Sequence, residues 1–302
     1  MRFDAPLARS AVDRHAPRRT EPGLLEHLRT LPTTRVLRVA GPRVPLAPSD
    51  DAAPPRLAYC SPALLTGQDL EFYLGSGDGI DYLGALVDPT APSEPDPQVS
   101  WLSLREVAAL LPDLDAGLAV AAVALGQWHV KAGFCAVCGS PTDVEQAGWV
   151  RRCRAQGHEV FPRMDPAVIV AVTDDEDRLL LARARHFAAG RFSVLAGYVD
   201  AGESLEAAVR REIGEEVGIG LSRVRYLGSQ AWPFPASLMC AFEARAESTD
   251  LVVDPTELAE ARWFSRAEFA GAIADGTVKV APRSAIARSQ IERWYGQGLD
   301  LP

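Results

Sequence analysis

Apolar residues recur at every fourth position from Leu205 through Val209 and Ile213 to Val217. That spacing predicts a helix with one buried stripe. Gly218 follows directly and supplies a stop, because glycine enters the left-handed cap conformation without steric penalty. Ahead of the helix, apolar runs at 161–170 and 179–182 predict strands, and a strand at 192–195 would deliver Ala196 and Gly197 into the connecting loop. Residues 239–246 predict another strand, and 284–295 carry the periodicity of a C-terminal helix.

The N-terminal half is patterned differently. Short strand-like runs at 35–39, 56–59 and 70–74 are punctuated by Pro, Gly and Asp, which predicts a mainly β domain. Gly75-Ser76-Gly77-Asp78-Gly79 lacks the G-x-G-x-x-G spacing of a phosphate loop and reads as a tight hairpin turn. Residues 102–111 and 113–128 have helical periodicity, and 92–97 read as a surface loop. Residues 1–22 are rich in Arg and Pro and read as a flexible arm. Cys60 and the isolated His186 read as a packing residue and an exposed loop residue.

The chain has 302 residues, 47% of them hydrophobic, enough for two or three domains with real cores. The longest apolar stretch, 116–126, is too short for the roughly 20 residues of a membrane span. The N-terminus has no apolar segment followed by a cleavage site, so a cytoplasmic protein is expected. A net charge of −9 argues against broad nucleic-acid binding but leaves room for a local basic groove.

Two constellations carry chemistry. Glu212, Glu215 and Glu216 share one face of the predicted helix at i, i+3 and i+4, where like charges repel. The fold gains nothing from them without a cation, and massed hard oxygen ligands suit Mg²⁺ or Mn²⁺. A solvated acidic face is the bland alternative. The second constellation is Cys135-Ala136-Val137-Cys138, followed by Cys153 and His158. Two thiolates two residues apart on a tight turn present both sulfurs to one ion, and a second turn completes a tetrahedron of structural type. His158 is the better fourth ligand, since Cys240 lies in a distant apolar run and His129 precedes the first turn. Five cysteines, three of them clustered, favour reduced thiols over disulfides.

The segment from Gly197 to Ile219 resembles the Nudix box, G-x5-E-x7-R-E-U-x-E-E-x-G-U with U aliphatic. Gly197, Glu203, Arg211, Glu212, Ile213, Glu215, Glu216, Gly218 and Ile219 meet every fixed position. Downstream, Ser229-Gln230-Ala231-Trp232-Pro233-Phe234-Pro235-Ala236-Ser237 is similar to the S-Q-P-W-P-F-P-x-S array of NADH pyrophosphatases, the Nudix subfamily that also removes NAD caps from RNA. The chain departs from that array at Ala231, where the subfamily has proline, which puts the stiffness of the loop or the choice of substrate in question.

The resemblance implies an α+β protein: a mainly β N-terminal domain over 1–127, a zinc ribbon over 128–163, and a Nudix αβα sandwich with a mixed sheet over 164–302. It implies hydrolysis of NAD(H) to AMP and nicotinamide mononucleotide, and of 5′-NAD-capped RNA to 5′-monophosphate RNA. Structural Zn²⁺ and catalytic Mg²⁺ or Mn²⁺ would be required, and a homodimer is expected. Glu212, Glu215 and Glu216, with the Ala196 carbonyl and Glu257, would hold the catalytic metal. Glu215 or Glu216 would take the proton of the attacking water, and Arg211 would orient Glu215. Glu203 would brace the loop or carry a water. Phe161 and Tyr198 are candidate rings for a base, each with a plain core role as its alternative. Gln230, Ala231, Trp232, Pro233, Phe234, Pro235, Ala236, Ser237 and Ala287 would complete the substrate pocket. Two competing readings are a Nudix enzyme for ADP-ribose or an oxidised nucleotide, and a zinc-ribbon nucleic-acid-binding regulator with an inactive Nudix domain.

Overall fold

The computed structural model describes residues 3, 5–48, 53–66, 69–88 and 98–299. The loop expected at 92–97 lies outside the described residues. The chain divides into two compact units, one comprising Leu7–Met164 with Trp232–Ala236, the other Met1–Pro6, Asp165–Ala231 and Ser237–Pro302. The ribbon expected over 128–163 therefore falls within the same unit as the N-terminal region.

In the first unit, α1 (Leu24–Thr30) precedes β1 (Arg35–Val39), β2 (Arg43–Leu46), β3 (Leu70–Gly77), β4 (Ile80–Leu86) and β5 (Ser100–Ser103). A single turn, α2 (Leu104–Val107), leads to the long α3 (Asp113–Lys131) and the ribbon strands β6 (Thr142–Glu145), β7 (Val150–Cys153) and β8 (Glu159–Val160). β1, β4 and β3 form one sheet in that order, with β1 parallel to β4, and β2 pairs with β5. The β3–β4 hairpin turns at Asp78 and Gly79, whose φ angles of 52° and 76° are both left-handed, as a primed turn requires.

Three expectations change here. The run 56–59 makes one isolated bridge, Leu57 to Leu46, instead of a strand, and Pro54 and Pro55 just before it have no N–H to offer a ladder. Residues 102 and 103, at the head of the predicted 102–111 helix, belong to β5 and pair with β2, so tertiary pairing overrides the local periodicity there. Residues 7–22 do not form a free arm. Asp13 exchanges backbone hydrogen bonds with Ser76, Arg9 pairs with Asp113 at 2.9 Å, and Arg18 pairs with Asp81 at 2.8 Å. The Arg19 guanidinium lies 3.6 Å from the centre of the Trp149 ring. Arginines that looked like solvated charge in sequence find carboxylate and aromatic partners in three dimensions.

The second unit is built on β9 (Asp165–Thr173), β10 (Leu179–Ala184), β11 (Leu195–Tyr198), β12 (Leu221–Trp232), β13 (Ser237–Ala246) and β14 (Leu258–Phe264), with α4 (Leu205–Val217), α5 (Arg266–Ala274) and α6 (Ile286–Tyr295). The sheet runs β12-β13-β9-β10-β14, with β11 also on β9. β13 is parallel to β9, whereas β10 and β11 are antiparallel to it, so the sheet is mixed. Period two on β9 separates its faces. Val168, Val170 and Val172 pack with Val209, Ile213 and Val217 of α4, and Ile169 and Ala171 pack with Phe269 of α5 and Ile286, Ile291 and Trp294 of α6. Burying each of these valine, isoleucine and phenylalanine side chains contributes roughly 1.5–3 kcal/mol. The result is an αβα sandwich, and the fold class is α+β.

Candidate active site and metal centre

Helix α4 begins at Ser204, whose hydroxyl accepts from the Ala207 amide at 3.2 Å, and ends at Gly218 with φ 72°. Its apolar stripe is buried, which turns the glutamates toward β11. The two approach closely at Gly197, where a Cβ would fall 1.9 Å from Glu212 Cδ, so any side chain at this position would displace the carboxylate. The strand expected over 192–195 starts at Leu195 instead, and Ser193 makes only a bridge to Ala182.

Arg211 organises the site. Its Nε and Nη2 donate to the two oxygens of Glu203 at 3.0 and 2.8 Å, its Nη1 donates to Glu212 and Glu215 at 2.9 and 3.0 Å, and its Nη2 also reaches the Tyr198 carbonyl at 2.9 Å. Glu203 in turn accepts from the Asp200 amide at 3.1 Å. A planar guanidinium is suited to this forked geometry, which fastens the loop to the helix. Beside Arg211 the Glu203 carboxyl is held below its ordinary range.

Glu216 is 6% exposed, and its Oε2 has no hydrogen-bond partner. Burial first, then the charges of Glu212, Glu257, Asp254 and Glu215, push its carboxyl up to about 8. Glu212 is also raised, by burial against the opposing pull of Arg211. An orphaned buried carboxylate oxygen among four other carboxylates is a donor set that fits a divalent cation. The loop carrying Glu257 is fastened to the end of α4, because the Val252 amide donates to the Val217 carbonyl and the Asp254 amide to the Glu216 carbonyl, both at 2.9 Å. Glu257 and Ala196 are exposed, as is Glu215, so the metal candidates differ widely in environment. Asp254, which the sequence did not single out, adds its charge to those around Glu216.

In the first unit, ligand atoms of Cys135, Cys138, Cys153 and His158 all lie within 4.8 Å of one another. Cys135 Sγ is 3.6 Å from His158 Nδ1, and Cys138 Sγ is 3.4 Å from Cys153 Sγ. A zinc–sulfur bond of about 2.3 Å makes a tetrahedral edge of roughly 3.8 Å, so the cage is nearly the right size. Two similar turns build it, with the Gly139 amide on the Cys135 carbonyl at 2.8 Å and the Gly157 amide on the Cys153 carbonyl at 2.9 Å. All four positions fit a structural zinc. His129 stands apart from this set. It is buried against Arg151, which donates to its Nδ1 at 3.2 Å, and its Nε2 lies 2.9 Å from the Gly148 carbonyl.

The substrate candidates divide between the units. In the second, the Tyr198 hydroxyl lies 3.3 Å from the Ser237 hydroxyl, with the ring largely exposed, and Ala231 is half-buried. Gln230 is buried, and its Nε2 donates to the Ser284 carbonyl at 3.0 Å. Ala287, expected at the pocket, is packed in the core on the apolar face of α6, which removes it from any open surface. In the first unit, the Trp232 and Phe234 rings meet edge to face at 4.9 Å, and the Phe234–Pro235 bond is cis. The Arg105 guanidinium lies 5.3 and 4.5 Å from these two ring centres, a contact the sequence did not signal. Pro233 is buried, Ala236 half-buried, and Pro235 and Phe161 exposed.

Residues 163–284 match the NUDIX domain, and residues 131–161 match the NADH pyrophosphatase zinc ribbon domain. Over 232 residues the chain is 42% identical to the NAD-capped RNA hydrolase NudC of Mycobacterium tuberculosis, covering 74% of each chain. The chain belongs to the NudC-like branch of the Nudix family. This Nudix chain is also 37% identical over 196 residues to the human (Homo sapiens) NAD-capped RNA hydrolase NUDT12, covering 61% of this chain and 42% of the relative. A solved Nudix hydrolase from Nitrosomonas europaea aligns over 55% of this chain and 94% of its own, with a TM-score of 0.44 and 20% identity. Among the described residues no helix is long and apolar enough to cross a membrane.

Proposed function

We propose that this Nudix chain hydrolyses the diphosphate of NAD(H) to AMP and nicotinamide mononucleotide, and removes 5′-NAD caps from RNA to leave 5′-monophosphate ends. The observation that carries this reading is the orphaned, buried Glu216 oxygen beside the Arg211 clasp, in a chain that also holds a four-ligand ribbon and is similar to enzymes named for NAD-capped RNA.

Glu212, Glu215 and Glu216, with the Ala196 carbonyl and Glu257, would hold Mg²⁺ or Mn²⁺. When bound, the metal neutralises phosphate oxygens and lowers the pKa of a coordinated water. Arg211 orients Glu215 and Glu212, and Glu203 braces the loop through Arg211. Glu215 or Glu216 accepts the proton of the attacking water. In the second unit Tyr198 offers an exposed ring for stacking on a base, and Gln230, Ala231 and Ser237 would line the dinucleotide pocket, with Ala231 leaving its entry less rigid than proline would; in the first unit Phe161 and the Trp232–Ala236 loop are substrate candidates in their own right. Zn²⁺ on Cys135, Cys138, Cys153 and His158 stabilises the ribbon. The working form is a cytoplasmic homodimer, which sedimentation of the purified chain would test.

The direct experiment compares kcat/KM on NADH, NAD-capped RNA, ADP-ribose and 8-oxo-dGTP. The first two should be preferred, and a preference for either of the last two would overturn the assignment. Glu216→Gln should lower turnover by about a hundredfold to a thousandfold with the fold intact, in the range for removing a principal electrostatic group.

A further inference from the structure

On the sheet face that packs against α6, turned away from α4, lies a cleft of about 650 Å³. Five arginines line it: Arg223 and Arg225 of β12, Arg245 of β13, Arg266 at the start of α5 and Arg293 of α6. Arg223 and Arg225 are two apart on one strand and so leave it on the same face. The carboxylates in the lining are Asp177 and Glu243.

Among the described residues the ion pairs of this cluster involve Arg225, Arg266 and Arg293 and leave Arg223 out. Glu243 pairs with Arg225 and lies 3.6 Å from Arg293, while Asp177 pairs with Arg266 at 2.7 Å. Arg245 donates to the Asp174 carbonyl, a neutral partner. Arg223 has no protein partner among the described residues. Among the described residues the lining holds five guanidiniums and two carboxylates, in a chain whose net charge is −9. Like charges converging on a cleft destabilise the folded state unless an anion occupies it. The cationic side chains in the lining are all arginine, whose planar fork matches phosphate oxygens bidentately. The volume falls within the range of about 300–1,000 Å³ typical of small-molecule sites, and the Trp294 and Leu227 side chains supply an apolar wall.

We propose that this cleft is a second, non-catalytic binding site for a small ligand carrying a diphosphate group. It is built from residues other than Glu212, Glu215 and Glu216, so it stands or falls independently of the catalytic reading. A concave, walled site favours a compact polyanion over an extended strand.

The test is calorimetric titration of the zinc-loaded full chain with inorganic pyrophosphate, in buffer free of magnesium and manganese. One site per chain is expected, weakening as salt rises. Arg223→Ala should weaken it about tenfold, and Arg223→Ala with Arg225→Ala about a hundredfold, at tenfold per lost charge-assisted contact. Arg223 is exposed and unpartnered, so its replacement should leave the circular dichroism spectrum and magnesium-dependent NADH hydrolysis unchanged. Arg223→Lys, which keeps the charge but loses the fork, should bind between the two. Glu216→Gln should leave pyrophosphate binding unaltered. Absence of binding, or binding lost in Glu216→Gln but kept in Arg223→Ala, would overturn the proposal. A 5′-monophosphorylated oligoribonucleotide that displaces pyrophosphate and binds more tightly in an Arg223-dependent way would reassign the cleft to an RNA strand.

Discussion

The Glu212 carboxylate occupies the space that a side chain on Gly197 would need, with the glycine's missing Cβ 1.9 Å from Glu212 Cδ. The glycine is needed here for close approach, with no special backbone angle involved. Gly197→Ala should push Glu212 off its position. The atom displaced is the end of a side chain, so folding should survive, with a cost near the roughly 1 kcal/mol of an ordinary substitution. The Mg²⁺ concentration for half-maximal activity should rise at least about tenfold, a 1.4 kcal/mol effect. Metal titration of activity alongside thermal denaturation checks both halves.

Arg211 spends its donors on Glu203, Glu212, Glu215 and the Tyr198 carbonyl, a pattern that a lysine ammonium cannot reproduce. Arg211→Lys should therefore lower kcat about a hundredfold, the scale for misplacing catalytic groups by about 1 Å. Glu203→Gln keeps one acceptor for the guanidinium and should lose less. Steady-state kinetics of the two variants decides the order, and equal losses would contradict a clasp.

His129 makes a pH prediction. Arg151 cannot accept a hydrogen bond, so Nδ1 must be the acceptor and Nε2–H must donate to the Gly148 carbonyl. Burial, reinforced by the Arg151 charge, lowers the imidazole to about 4. Its ordinary unfolded value is about 6.5. Between these values the unfolded chain takes a proton and the folded chain does not, so stability is present above pH ~6.5 and lost as pH falls toward ~4. At pH ~5 the loss is roughly 2 kcal/mol. Denaturant titrations at pH 7.5 and 5.0 should show this loss in the native chain and not in His129→Gln, whose shared zinc site cancels from the comparison.

Elemental analysis of the purified chain should find one zinc, released on Cys153→Ser. His158→Ala should bind zinc more weakly while leaving three thiolates, and the first unit should melt earlier in both variants. Unchanged zinc content in His158→Ala would remove His158 from the ligand set.

The sequence by itself determined the elements whose signals are local. The stripe Leu205, Val209, Ile213 and Val217 is a helix because residues four apart share a face, and it holds as α4. The two Cys-containing turns were legible for the same reason, since the ligands of each turn lie within a few residues of one another. Tertiary structure decided what depends on distant chain. Glu215 and Glu216 are neighbours in sequence, yet one is exposed and tied to Arg211 while the other is buried with an unpaired oxygen, because the sheet and the 252–257 loop cover only one of them. Residues 102 and 103 went to a strand because pairing partners far along the chain outcompeted local pattern, and Ala287, named by resemblance alone, is buried in the core. The arginine cleft is assembled from four separate elements, β12, β13, α5 and α6, whose charges looked scattered until the sheet brought them onto one face.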